Sequence, residues 1–319
     1  MTATTSPAYR CDRVNSHQPI LVNAVIDALC TDPDGEYVDT TFGRGGHTRA
    51  LLERLSPSGK VLAIDRDPSA VAVAHALARQ DGRVVARHGR MSELAKFASE
   101  THLSRVVGVL MDLGVSSPQL DDPERGISFR GDGPLDMRMD PTSGRPASEW
   151  INTAEESELA RVFQEFGEER HAKRIARAIV HRRAQAPIVR TADLVSVIAQ
   201  AQPKPDPHKH AATRVFQAIR IHVNDELDEL RIAIDAAFAL IRIGGRIAVL
   251  TFHSLEDRIV KHAFRKWVEG DALPRRLPVI GRVAGSARLI GRARRPGADE
   301  IVRNPRARSA LLRVLEKAA

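Results

Sequence analysis

Two cysteines in 319 residues, Cys11 and Cys30, are too few for a disulfide scaffold, and their spacing fits no zinc or redox motif. Long apolar runs are missing as well. The longest stretch, Ile232–Ile243, is broken by Asp235 and Arg242, short of the roughly 20 apolar residues that a membrane span requires. Met1–Arg10 has no apolar h-region, which argues against a secretory signal. Together these absences point to a reducing cytoplasm. Aromatic residues are scarce, at 4%, and no internal repeat is visible. With 43% apolar and 28% charged residues, the chain can still bury a core as one large domain or two moderate ones.

The net charge of +8 is unevenly placed. Residues 271–319 hold 12 Arg and Lys against four Asp and Glu, so the other 270 residues carry 36 of each sign and are neutral. The excess is chiefly Arg275, Arg276, Arg282, Arg288, Arg292, Arg294, Arg295, Arg303, Arg306 and Arg308. Arginine grips phosphate through paired hydrogen bonds, so this block reads as a nucleic-acid contact surface. The plainer alternative is a solubilising surface.

Residues 1–15 read as a disordered leader. An α/β alternation follows, with a strand at Val38, a glycine-rich turn and a helix over His47–Leu55. Next come a strand at Val61–Ile64, a helix over Pro68–Arg79 capped by Asp67, a weak strand at Val84–Ala86 and a strong one at Val106–Met111 ending in Asp112. The alternation then stops. Gly114–Pro146 is rich in Gly, Pro, Asp and Ser, and a loop of that length is usually functional. A helix capped by Thr153 and Glu156 carries Leu159, Val162, Phe163 and Phe166 on one face. Further helices run through Ala172, Ile175, Ile179 and Val180, and after Thr191 with Leu194, Val195 and Ile198. Pro203–Pro207 reads as a return linker. Ala211–Ile243 predicts one or two helices stopped by Gly244 and Gly245. Strand Arg246–Thr251, helix Leu255–Trp267 and strand Leu311–Leu315 complete a sheet with a C-terminal hairpin. The expected fold class is α/β and Rossmann-like, with residues 16–112 and 211–319 forming the sheet domain and 113–210 a helical insertion.

Three segments carry the chemistry. In Val38–Thr48 a strand runs into Gly43, Gly45 and Gly46 and then a helix, which lets a ligand approach the backbone at the carboxyl edge of a parallel sheet. A dinucleotide fingerprint would place its third glycine at position 48, where Thr48 stands. That favours a cofactor without a pyrophosphate, such as S-adenosylmethionine, although a glycine turn alone is also a plain tight turn. Asp65 ends the second strand about 20 residues beyond Gly45, where an acid accepts both ribose hydroxyls of an adenosine cofactor. Asp112–Asp121 follows the fourth strand and includes Ser116, Ser117, Pro118 and Gln119, facing the same crevice or forming only a turn. His208, His210 and His222 have no metal-ligand spacing, so no metal is expected. His253 follows the fifth strand and is a candidate to face the cleft, and Ser254 with Asp257 offers a helix cap.

With those residues in hand, the chain closely resembles the MraW family of ribosomal RNA methyltransferases. The matching segments are Asp39–His47, Ala63–Pro68, Asp112–Asp122, Gly133–Asp140, Gly167–Ile179, Thr213–Asn224, Thr251–Val260 and Asn304–Ser309. The segment Asp271–Arg292 matches weakly. The resemblance implies S-adenosylmethionine-dependent N4-methylation of one cytidine in 16S rRNA near the P site, within the small ribosomal subunit. It also implies a methyltransferase domain interrupted by a helical substrate-recognition domain. Its cofactor contacts fall on Gly45, Gly46, His47, Asp65, Met91, Asp112 and Gln119 of this chain. Amino-group methyltransferases carry a polar residue followed by Pro-Pro-aromatic after the fourth strand, and here only the polar position is kept, as Asp112.

Cytosine N4 is a poor nucleophile, since its lone pair is delocalised into the ring, and an acceptor beside the amine would counter this. Asp112 is the candidate, with Ser116 or Ser117 assisting. The target base must leave its stack, and Phe129 and Phe252 are candidates to receive it. Rival readings are a methyltransferase of DNA amines or of a ribose 2′-hydroxyl, a nicotinamide oxidoreductase, and a non-enzymatic RNA-binding protein. No exposed apolar stripe forces a homodimer and none excludes one.

Overall fold

The computed structural model describes residues 19–202, 210–270 and 285–319. The leader at 1–15, the linker Pro203–Pro207, His208, Arg275, Arg276 and Arg282 lie outside the described residues. In chain order the elements are α1 (Val22–Leu29), β1 (Glu36–Asp39), α2 (Gly46–Leu52), β2 (Lys60–Asp65), α3 (Pro68–Gln80), β3 (Val84–His88), α4 (Leu94–Glu100) and β4 (Val106–Asp112). Then follow α5 (Ser117–Asp121), α6 (Ala147–Thr153), α7 (Glu156–Glu165), α8 (Ala172–Arg183), α9 (Thr191–Ala201), α10 (Thr213–Val223) and α11 (Glu226–Leu240). The chain closes with β5 (Arg246–Thr251), α12 (Ser254–Glu269), β6 (Ala287–Leu289), α13 (Ala298–Arg303) and β7 (Leu311–Lys317). No helix among the described residues is long and apolar enough to cross a membrane.

The strands form one sheet in the order β3-β2-β1-β4-β5-β7-β6. Strands β1 to β5 are parallel, and β7 runs antiparallel between β5 and β6. Val106–Met111 is buried throughout, as a central parallel strand covered on both faces must be. Alternate side chains feed two apolar layers. Val38, Leu62, Ile64 and Met111 pack with α4, α11 and α12 on one face, while Tyr37, Val61, Ala63 and Leu110 pack with α1, α2 and α3 on the other. Strand order reverses at β1, so the loops after β1 and β4 part there and open a crevice at their carboxyl ends. Asp39, Asp65 and Asp112 close β1, β2 and β4. The chain is a Rossmann-like α/β protein.

Helices α6 to α9 pack on a separate core that runs from Ile127 to Ile219. Helix α10 shares this core through Val215, Phe216, Ala218 and Ile219. The chain then turns at Asp225, φ 53°, into α11, which returns to the sheet. The loop between β4 and α6 is irregular but pinned. Arg125 donates to Asp67 Oδ2 at 2.8 Å and to the Met139 carbonyl at 2.7 Å, and Asn224 bonds both Met137 and Met139.

Two sequence expectations change and one is extended. Thr153 does not open a helix but ends α6, which the sequence pattern concealed, and its hydroxyl donates to the Glu149 carbonyl at 2.8 Å. Its hydroxyl thus serves its own helix, and α7 starts without a side-chain cap. In α9, Leu194 and Ile198 are buried as expected and Val195 packs half-buried against the same core, which Val197 joins as a further buried residue. At α12 the N-cap is His253, and Glu256 completes a capping box with it by accepting from the backbone N–H of Phe252 and of His253, while Asp257 turns away to Arg313 at 2.6 Å.

Candidate active site

The turn after β1 depends on two left-handed glycines, Gly43 at φ 56° and Gly45 at φ 76°. A Cβ on Gly45 would lie 2.5 Å from the Phe42 ring, and one on Gly46 would lie 2.9 Å from Pro19. Thr48, at the position a dinucleotide fingerprint gives to glycine, is fully buried and donates to Asp39 Oδ2 at 2.6 Å. It ties α2 to β1 by a hydrogen bond where glycine would do so by close approach. Burial pushes the Asp39 carboxyl up to about 6, against the Thr48 bond.

Asp65 stands across from this turn. Its Oδ2 accepts from the Gly43 N–H at 2.7 Å and its Oδ1 from the Asp67 N–H at 2.8 Å. Burial raises it to about 6, opposed by those same N–H groups. Asp67 caps α3 as the sequence predicts, accepting from Ser69 N–H at 2.9 Å.

Asp112 lies on the third wall. Its backbone N–H donates to Thr41 Oγ1 at 2.6 Å, and its Oδ2 lies 3.5 Å from His47 Nδ1. Its Oδ1 is buried and finds no partner among the described residues. Burial, and then the charge of Glu256, push its carboxyl up to about 7. Burial lowers the His47 imidazole, whose Nε2 lies 3.0 Å from the Ile20 carbonyl. Gln119 is buried and bonded at both ends of its amide, to Ser116 N–H at 2.8 Å and to Asp67 Oδ2 at 2.7 Å. Ser116 precedes α5 and Ser117 is buried as its first residue.

These residues surround one cavity of about 410 Å³. Its walls include Gly43, Gly46, His47, Asp65, Met91, Asp112, Ser116, Ser117 and Gln119, so nearly all the singled-out positions meet there. Gly45 supports the turn from behind. Phe252 lines the cavity, whereas Phe129 stacks on His210 at 4.5 Å against the core shared by α6 to α10. His222 packs on Trp150. Sequence reasoning missed Gln217, Arg220, Glu226 and Glu256, which reach the cavity from α10, α11 and α12. Three of them, Gln217, Arg220 and Glu256, fall in segments that carry the family resemblance, which was the available signal. A larger opening of about 820 Å³, between α1, α2 and α13, includes no strand-end carboxylate.

The model of the MraW methylase family matches residues 14–318. The chain belongs to the MraW methylase family. Among relatives, it is 54% identical over 304 residues to a protein of Chromohalobacter salexigens, covering 94% of this chain and 91% of that one. It is 50% identical over 309 residues to one from Nitrosococcus oceani, covering 96% and 98%. Both relatives are named ribosomal RNA small subunit methyltransferase H.

Proposed function

We propose that this chain methylates N4 of one cytidine in 16S rRNA, near the P site of the small ribosomal subunit, with S-adenosylmethionine as donor. Membership of the MraW methylase family and relatives named for ribosomal RNA support the substrate class. The observation that carries the site is Asp112 Oδ1, a buried acceptor without a donor on the wall of the cavity. Buried acceptors are nearly always satisfied, so a ligand N–H belongs there. The donor set fits the cofactor, which brings an ammonium and two ribose hydroxyls to a cavity walled by Asp112 and Asp65.

Bound S-adenosylmethionine supplies a sulfonium methyl that is already electrophilic. Gly45 and Gly46 bring backbone close to it, Asp65 takes its ribose hydroxyls, and Met91, His47 and Gln119 complete its walls. The chain's main task is alignment, since near-attack geometry is worth roughly 7–11 kcal/mol. Asp112 accepts from the target amine, with Ser116 and Ser117 beside it, and Phe252 stacks on the extruded base. Residues 113–210 form the substrate-recognition insertion, with α10 as its seam to the sheet domain. Exposed Arg292, Arg294, Arg295, Arg303 and Arg308, which make no ion pair among the described residues, meet RNA phosphates.

The test is methyl transfer to naked 16S rRNA, small subunits and whole ribosomes, with nucleosides identified by mass spectrometry. N4-methylcytidine is expected. A 2′-O-methyl product, or methylated DNA alone, refutes the reading.

A further inference from the structure

We propose that the opening between α1, α2 and α13 holds the RNA nucleotide next to the target cytidine, with a phosphate on Arg49 and Arg303, a subsite that rests on the RNA methylation reading above. The opening measures about 820 Å³. Pockets of roughly 300–1,000 Å³ take small molecules, so a nucleotide fits. It adjoins the cavity that holds Asp65 and Asp112. Pro19 and Gly46 line both spaces, and a Cβ on Gly46 would meet the Pro19 ring at 2.9 Å. Arg303 and Asn304 line the opening, and Arg306, two residues on, lines the cavity. A strand whose base enters the cavity therefore meets the opening next.

The walls of the opening are tied to one another. Glu300 Oε1 accepts from the Leu21 N–H at 2.7 Å, which holds α13 to the start of α1. Ile20 is buried with Ala307 and Ala310, which fixes the turn that follows α13. Asn304 Oδ1 accepts from the Arg306 N–H at 3.2 Å and orders the same turn. The shape is thus present before RNA arrives, and binding need not order it.

The charges favour RNA as the occupant. Arg44, Arg49 and Arg303 are exposed, and none makes an ion pair or a side-chain hydrogen bond among the described residues. Arg49 on α2 and Arg303 on α13 border the opening, while Arg44 borders the cavity, so the free cations follow the path from one to the other. Free guanidinium groups from two helices suit a phosphodiester. Leu21, Val22, Ala24 and Ala50 give an apolar wall for the face of a base. Of the two carboxylates in the lining, Glu300 is engaged by Leu21, and Glu53 can accept from an amino group on a base edge. Phosphate contacts fix register and orientation without reading sequence, so holding the neighbouring nucleotide keeps the target base over the cavity.

The experiment uses the full chain and small ribosomal subunits. Asn23 is exposed and lines the opening, so photoreactive p-azidophenylalanine in its place reports on the occupant. Irradiation should cross-link it to the nucleotide beside the methylated one, read by primer extension. Arg49→Met and Arg303→Met should each raise the subunit concentration for half-maximal methylation about fivefold and lower the slope of log affinity against log salt by about one. The rate at saturation, and affinity for S-adenosylhomocysteine by calorimetry, should stay within about twofold, and Arg49→Lys should restore the salt slope. Both arginines are exposed, so thermal melts should match the wild type. A cross-link far along the RNA from the methyl group overturns the proposal. So does a cross-link to protein alone, no RNA cross-link from a substituted chain that still methylates, or wild-type half-saturation in both Met variants. A wild type that methylates another RNA atom refutes the cytidine N4 reading alone, because the cross-link is mapped against whichever nucleotide carries the methyl group.

Discussion

Replacing Asp112 with Asn should stabilise the protein without cofactor while destroying its activity. Asp112 ionises at about 7 in the fold, against 3.8 for the free group, because it is buried and faces the charge of Glu256. Between those two values the unfolded chain has lost its proton and the folded chain keeps it. Folding therefore takes up a proton, and stability falls as pH rises from about 4 to about 7, then levels off. A shift of roughly three pH units corresponds to about 4 kcal/mol at full burial. The side chain is 28% exposed, so solvent screening reduces the expected figure to about 2 kcal/mol. Asn is near-isosteric and never ionises. At pH 8 the variant should melt about 4 °C higher than the wild type, and at pH 4 the two should coincide. Thermal melts across that range, monitored by circular dichroism, check this. Parallel melting curves at every pH would refute the electrostatic reasoning. Methyl transfer by Asp112→Asn should fall at least about 100-fold, the scale of one lost transition-state contact.

Gly45→Ala combines a left-handed φ with a Cβ 2.5 Å from Phe42, and should cost about 1–3 kcal/mol and weaken donor binding, seen by melting and calorimetry. Thr48→Val keeps the shape but strips Asp39 of its buried donor, and should cost about 1–3 kcal/mol by urea titration. Arg303→Glu combined with Arg308→Glu should weaken RNA binding and lower the slope of log affinity against log salt by about two, with donor affinity unchanged.

The sheet was legible in the sequence because each parallel strand is a compact apolar run, and the acids at three strand ends mark the crevice edge. Asp65 and Asp112 could be singled out for that reason alone. Arg220, Glu226 and Glu256 could not. They lie more than 100 residues from Asp112 along the chain, and only the folding of α10, α11 and α12 onto the sheet brings them to the cavity. Phe129 and Phe252 look alike as loop aromatics, and packing alone separates them: His210 and Phe216 cover the first, the cavity borders the second. Thr153 misled because its spacing to Glu156 is that of a capping box, while it is itself the last of the seven residues of a preceding helix.

The claim on which everything rests is that a methyl donor lodges between the glycine turn and Asp65. Calorimetry with purified, cofactor-stripped protein tests it most directly. Wild type should bind S-adenosylmethionine and S-adenosylhomocysteine at one site, and Asp65→Ala should lose at least tenfold in affinity, about 1.4 kcal/mol. No heat from the wild type, or equal affinity in the variant, would contradict the account.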